Sequence, residues 1–300
     1  MSMTEKKTGT FKSFDGTKIY YESRGEGPPL ILNYGIGCLM NHWHFQVRHF
    51  SSHFRVITYD YRAHHLSDVP ENFRHLDLDS MARDIKALCD ELGIEKAHFC
   101  GHSFGVQLLV RAYDMYPELF EDLVFINGFV QNPLAGMFGN DVALSFFHLF
   151  KSGYELLPET LTHLWKMAIE NPLAVHLSAL AGGFNLKLTA LKDVEIYARG
   201  VSSLDLNAFL RMFESMLNYD GNAVLERIEV PTLVIAGAKD AVTPLKHQEE
   251  MHQQIKNSSY LVVPMGSHCS QLDMPELVNL RMEQFYLQPQ KKSLPVEEGS

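Results

Sequence analysis

Cys100-Gly101-His102-Ser103-Phe104-Gly105 is the stretch on which the reading of this chain turns. The apolar run from Lys96 to Cys100 before it reads as a strand. From Phe104 to Tyr116 the apolar side chains recur at helical spacing. A Gly-x-Ser-x-Gly pattern placed between a strand and a helix lifts the serine hydroxyl above the sheet edge on a sharp, strained turn. Gly101 and Gly105 suit that turn because strand and helix nearly touch there, leaving no room for a Cβ. The helix start also aims free N–H groups and a positive dipole end at negative charge growing near the serine.

Working outward, strand and helix patterns alternate on both sides. Asp15-Gly16 supplies a positive-φ turn for a hairpin between Phe11 and Glu22, and Pro29 to Tyr34 forms the next strand, ending in Gly35-Ile36-Gly37. A helix carrying Trp43, Phe45 and Val47 follows, then a strand at Phe54 to Asp60 and a long polar connection over 61–78. Asp79-Ser80 is expected to cap a helix with Met81, Ile85, Leu88 and Leu92 on its apolar face and Gly93 at its end. Beyond the serine turn come strands at Asp122 to Asn127, Pro231 to Gly237 and Ser259 to Val263, with helices at Pro244 to Ile255 and Pro275 to Tyr286. The expected fold class is α/β, a mostly parallel doubly wound sheet covered on both faces. Residues 131–222 show helical patterns and no strand, punctuated by Pro133, Pro158, Pro172 and Gly182-Gly183. They are expected to be an inserted helical cap on a core made of 1–130 and 223–286, with a disordered tail at 287–300.

Composition narrows the function classes. The 300 residues carry 26 Lys+Arg against 36 Asp+Glu, a net charge of −10, with no basic block beyond Lys6-Lys7 and Lys291-Lys292, so nucleic acid is not an expected partner. No stretch approaches the roughly 18 apolar residues of a membrane span, and Met1 to Thr10 lacks an apolar export segment, so a cytoplasmic location is expected. Cys38, Cys89, Cys100 and Cys269 are scattered without a Cys-x-x-Cys pair and read as reduced, buried thiols. His64 and His65 read as loop residues and not as ligands, and His42-x-His44 lacks a carboxylate partner at metal spacing, so no metal and no cofactor is expected.

A serine hydroxyl needs a base within reach, itself oriented by a carboxylate. Among fifteen histidines, position discriminates: His268 lies in Met265-Gly266-Ser267-His268, just past the last strand, and Asp240 lies just past the strand before it. Ser103, Asp240 and His268 therefore fall on three loops at one sheet edge, in the order Ser, Asp, His. With these residues the chain resembles the α/β-hydrolase fold family from Phe11 to Tyr286. Gly101 to Gly105 matches its nucleophile elbow, Val230 to Asp240 its acid-bearing strand and Gly266 to His268 its histidine loop. The resemblance implies an oxyanion hole from the N–H groups of Phe104 and Ile36. Tyr34-Gly35-Ile36 departs here from the family's His-Gly pair, so the bonding that fixes this loop is not given. Tyr59 to Ser67 resembles a family loop that carries glycines at the places of Ala63 and His65.

A serine nucleophile sets the chain apart from relatives that attack with aspartate, such as haloalkane dehalogenases and most epoxide hydrolases. Hydrolysis of a carboxylic ester with a small to medium apolar acyl group is expected. Thioester, lactone or amide cleavage, C–C bond hydrolysis of a meta-cleavage product, acyl transfer and ligand reception without turnover stay open. A C–C hydrolase would want an arginine at the site, from among Arg111, Arg199 and Arg211. Phe138, Phe146, Phe147, Phe150, Trp165, Phe184, Phe209, Met212, Phe213 and Met216 are expected mainly to pack the cap on the sheet, the remainder making a greasy pocket. Oligomeric state is not legible.

Overall fold

Eight apolar or alternating segments pair into one sheet in the order β1-β2-β4-β3-β5-β6-β7-β8 in a computed structural model that describes residues 5–134, 142–171, 173 and 183–287. The strands are β1 (Lys6–Lys12), β2 (Lys18–Arg24), β3 (Pro29–Asn33), β4 (Arg55–Tyr59), β5 (Ala97–His102), β6 (Phe120–Ile126), β7 (Thr232–Gly237) and β8 (Ser258–Val263). The first two form an antiparallel hairpin, β2 pairs antiparallel with β4, and β3 to β8 run parallel. The parallel strands β3 to β7 are buried almost throughout, which is why they read as continuous apolar runs. β1 begins at Lys6, five residues before the expected hairpin start. As an edge strand exposed along most of its length it carries no apolar alternation to announce it.

The helices are α1 (His44–Phe50), α2 (Leu78–Leu92), α3 (Phe104–Met115), α4 (Val142–Leu156), α5 (Pro158–Glu170), α6 (Leu191–Ser202), α7 (Leu206–Asn218), α8 (Asn222–Leu225), α9 (Leu245–Gln254), α10 (Ser270–Asp273) and α11 (Pro275–Leu287). The cap of α2 is Asp77, whose carboxylate accepts from the Ser80 N–H at 2.7 Å, and not Asp79-Ser80. Moving the start back adds Leu78 to the buried face, three residues before Met81. Gly93 closes the helix at φ 63°.

Between β6 and β7 the described residues hold helices and no strand. Phe147, Phe184, Phe209, Met212 and Met216 are buried there, whereas Phe146 is 67% exposed. Neighbouring helical residues point about 100° apart, so Phe146 and Phe147 do not share one core-facing stripe. Phe138, Pro172, Gly182 and the tail from 288 lie outside the described residues. The strand order turns around between β3 and β5. Their carboxyl ends, Asn33 and Gly101 in register, open the crevice where α/β sheets hold ligands.

Candidate active site

At the end of β5 the chain turns through Ser103 with φ 54° and ψ −120°, a strained conformation for a residue with a side chain. A Cβ on Gly101 would lie 2.8 Å from the Gly105 carbonyl carbon and 2.9 Å from Leu109 Cδ1, and one on Gly105 would run into the Asn33 carbonyl. Glycine at both places lets the elbow close and stands Ser103 at the crevice.

The structure brings Ser103, His268 and Asp240 together. His268 Nε2 lies 2.9 Å from Ser103 Oγ, and His268 Nδ1 lies 3.0 Å from Asp240 Oδ2. With Nδ1–H donating to the carboxylate, Nε2 is left as the acceptor for the serine hydroxyl. Asp240 is buried and accepts further bonds from the Val242 and Thr243 N–H groups, the Thr243 hydroxyl and Asn127 Nδ2, at 2.7–2.9 Å. Burial pushes its carboxyl upward, but the His268 imidazole and these hydrogen bonds outweigh it and hold the group below the usual carboxylate range.

Sequence reasoning missed the supports. Asn127, at φ 48° just past β6, spans Asp240 and the Ser267 carbonyl at 2.8 and 3.1 Å. A polar residue ending an apolar strand beside Gly128 was the available signal. Asp273 accepts from the Ser267 N–H and hydroxyl at 2.6 Å each and from the Thr189 hydroxyl, tying the histidine loop to the helical segment. The Thr243 hydroxyl is 2.7 Å from Asp240 Oδ2 and 3.3 Å from His268 Nδ1. Thr243→Val keeps the shape and removes that donor. It is expected to lower kcat about tenfold at unchanged KM, the size of one hydrogen bond to a charged group. Steady-state kinetics on an ester substrate checks it, and an unchanged kcat would remove Thr243 from the machinery.

Ile36 and Phe104 flank the same crevice. A Cβ on Gly35 would sit 3.2 Å from Ser103 Cβ, so the 34–38 loop lies directly against the serine. Among the described residues neither the Ile36 nor the Phe104 N–H is engaged in a hydrogen bond, which leaves both as donors. The three arginines are committed elsewhere: Arg111 to Asp79 and Asp114, Arg199 to Glu195 on an exposed surface, and Arg211 to Asn207. All four cysteines are free thiols and buried.

Comparison with known proteins decides the family. The model for the alpha/beta hydrolase fold matches residues 28–275. This chain belongs to the α/β-hydrolase fold family. Mouse "Epoxide hydrolase 4" is 28% identical over 279 residues, covering 88% of this chain and 75% of that protein. "3-oxoadipate enol-lactonase 1" of Acinetobacter baylyi is 28% identical over 255 residues, covering 83% and 85%. The crystal structure of a hydrolase from Pseudomonas aeruginosa PA01 superposes with a TM-score of 0.76 at 25% identity, covering 94% of this chain and 98% of that one.

In this α/β-hydrolase the loop bearing Ile36 is fixed without the family's histidine. Tyr34, fully buried, donates to Asp60 Oδ1 at 3.2 Å and accepts from the Tyr61 N–H at 3.0 Å, while the Tyr61 hydroxyl donates to the Tyr34 carbonyl at 2.7 Å. His64 Nε2 accepts from the Gly37 N–H at 3.1 Å, and His65 Nε2 donates to the Cys38 carbonyl at 2.8 Å. Ala63 and His65 keep positive φ of 58° and 45° where the family pattern carries glycine. Both histidines of the pair thus hold the loop. A cavity of about 470 Å³ lined by Glu22, Thr58, Asp60 and His65 lies across this loop and touches none of Ser103, Asp240 and His268.

Burial lowers His64 to about 3, so the folded protein holds it neutral while the unfolded chain protonates it near 6.5. The stability it confers is complete above pH 6.5 and is lost as pH falls toward 3. By pH 5 its share of the loss is expected to reach about 2 kcal/mol. Urea midpoints at pH 7 and pH 5 check this. His64→Gln, which cannot take up a proton, is expected to show a smaller drop, and an equal drop would contradict the assignment.

Proposed function

We propose that this α/β-hydrolase cleaves carboxylic esters, linear or lactone, through an acyl-enzyme on Ser103. The observation that carries the reading is the unbroken hydrogen-bond chain from Ser103 Oγ through the His268 ring to Asp240. Ser103 Oγ attacks the ester carbonyl as its proton passes to His268 Nε2, and Asp240 holds the ring and faces the imidazolium. The N–H groups of Phe104 and Ile36 stabilise the oxyanion. His268 then gives the proton to the departing alkoxide. Water, deprotonated by the same nitrogen, releases the acid from Ser103.

Chemistry separates this reading from epoxide opening. Serine attack on an epoxide would leave an ether on Ser103, which water does not cleave, so the enzyme would stop after one event. An ester instead leaves an acyl group that the same machinery hydrolyses. The helical segment over residues 131–222 is proposed to act as a cap. Val201, Leu204 and Phe209 crowd Gly37 beside the oxyanion loop, so the acyl side of the crevice is apolar.

A fluorophosphonate is expected to add one label, on Ser103, and p-nitrophenyl esters of graded chain length to show a short- to medium-chain optimum. Faster turnover of lactones would place the substrate among cyclic esters. A label elsewhere, with no ester or lactone turned over, would end the reading.

A further inference from the structure

His102, inside the elbow, contributes more than a place in the turn. Its Nε2 lies 2.8 Å from the His268 carbonyl. A carbonyl only accepts, so Nε2 carries the ring proton and Nδ1 keeps a bare lone pair. That Nδ1 is buried with no hydrogen-bond partner, in a residue 1% exposed. Such a lone pair costs stability unless something meets it. Cys38 Sγ stands opposite: the Cβ position of Gly35 is 3.3 Å from both Sγ and His102 Nδ1. The His42 ring lies over His102 with centroids 4.6 Å apart. One ligand atom from each of Cys38, His42 and His102 falls within 4.8 Å of the others, and all three residues are buried.

We propose that Cys38, His42 and His102 form a binding site for one zinc ion beside the Gly35-Ile36 turn. A thiolate with two imidazoles is a borderline-soft donor set that suits zinc and offers no oxygen for magnesium or calcium. Tetrahedral Zn–S and Zn–N bonds place ligand atoms roughly 3.3–3.6 Å apart, so side-chain rotations closing the widest gap by roughly 1.3 Å bring the three protein donors into place and leave the fourth position to water. His102 already shows the bonding typical of a ligating histidine, its second ring nitrogen donating to a backbone carbonyl. A void of about 10 Å³, at the lower limit for one water, borders His42 but neither Cys38 nor His102.

Binding forms a Zn–S bond, and the Cys38 thiol gives its proton to solvent. Each imidazole binds through a ring-nitrogen lone pair, as the bare Nδ1 of His102 already offers, so the proton released comes from the Cys38 thiol. One proton is therefore released per zinc. Zinc pulls Cys38 and His102 together across Gly35, the residue before the Ile36 donor. Given the ester hydrolysis proposed above, occupancy slows turnover and a chelator restores it.

The test titrates the full-length, metal-free protein with zinc chloride against a chromophoric chelator. Cobalt(II) replaces zinc for spectroscopy. One zinc per chain, one proton released, a thiolate-to-cobalt charge-transfer band and a zinc-dependent rise in Tm are expected. Cys38→Ser and His42→Gln, with unchanged circular dichroism, are each expected to weaken zinc about 100-fold or more and to lose the rise in Tm. No zinc binding by the wild-type protein, or equal binding by both variants, would overturn the site. None of these readouts needs turnover: a protein that binds zinc through Cys38 yet cleaves no ester keeps the site and loses the hydrolytic reading, and the reverse result does the opposite.

Discussion

Replacing Ser103 by alanine is expected to lower kcat for p-nitrophenyl butyrate by roughly ten-thousand- to million-fold, with KM within a few-fold of wild type. The size follows from what is lost. Without Oγ there is no acyl-enzyme, and the reaction falls back on direct attack by water with whatever help the Ile36 and Phe104 donors give. His268→Ala is expected to cost nearly as much, and the double variant little more than either single one. The two side chains act as one unit on one proton, 2.9 Å apart, so removing the second part of a broken unit adds nothing. Additive losses would mean that they work separately and would sink the proposed mechanism. Ser103→Ala turning over at the wild-type rate would do so more directly.

How much of this was legible depends on the range of the interaction. The sheet was readable because β3 to β7 are buried on both faces and each had to be a continuous apolar run. Ser103, Asp240 and His268 were readable because each sits just past a strand end at one edge. What was not readable depends on pairs distant in sequence. Asn127 reaches Asp240 across 113 residues and the Ser267 carbonyl across 140, and nothing local marks either contact. Cys38, His42 and His102 meet only because β3 and β5 are neighbours. A histidine pair read along the chain suggests His42 with His44, whereas His44 turns to the Asn41 carbonyl. The departure at Tyr34 was visible, but its remedy, a tyrosine–aspartate–tyrosine network closed by residues 60 and 61, was not.

Arg62 follows that network directly in the chain, and Arg62→Leu carries the largest expected effect on stability. The Arg62 side chain is fully buried, and all five of its N–H donors are used. Two meet Asp84 at 2.7 and 2.6 Å, and one each meets Asp15 at 3.0 Å, the His75 carbonyl at 2.9 Å and Ser13 Oγ at 3.3 Å. One guanidinium thus pins the β1–β2 turn, α2 and the 73–75 turn to the segment that carries Tyr61, His64 and His65. Leucine leaves the Asp84 carboxylate buried without its countercharge, a loss of about 3–5 kcal/mol. For a chain of this size that is a fall in Tm of roughly 5–8 °C. Arg62→Lys restores the charge but not the two-pronged bond to Asp84, so its Tm is expected to fall between the two. Adding Asp84→Leu to Arg62→Leu removes the orphaned carboxylate and is expected to recover part of the loss, because what destabilises is the unpaired charge more than the missing pair. Kinetics separates a local from a global role. Because the same segment holds the Ile36 loop, Arg62→Leu assayed well below its Tm is expected to show reduced kcat even while folded. A Tm within 2 °C of wild type would mean that Asp84 is neutral or solvated, and that the Ile36 loop is held by its own contacts alone.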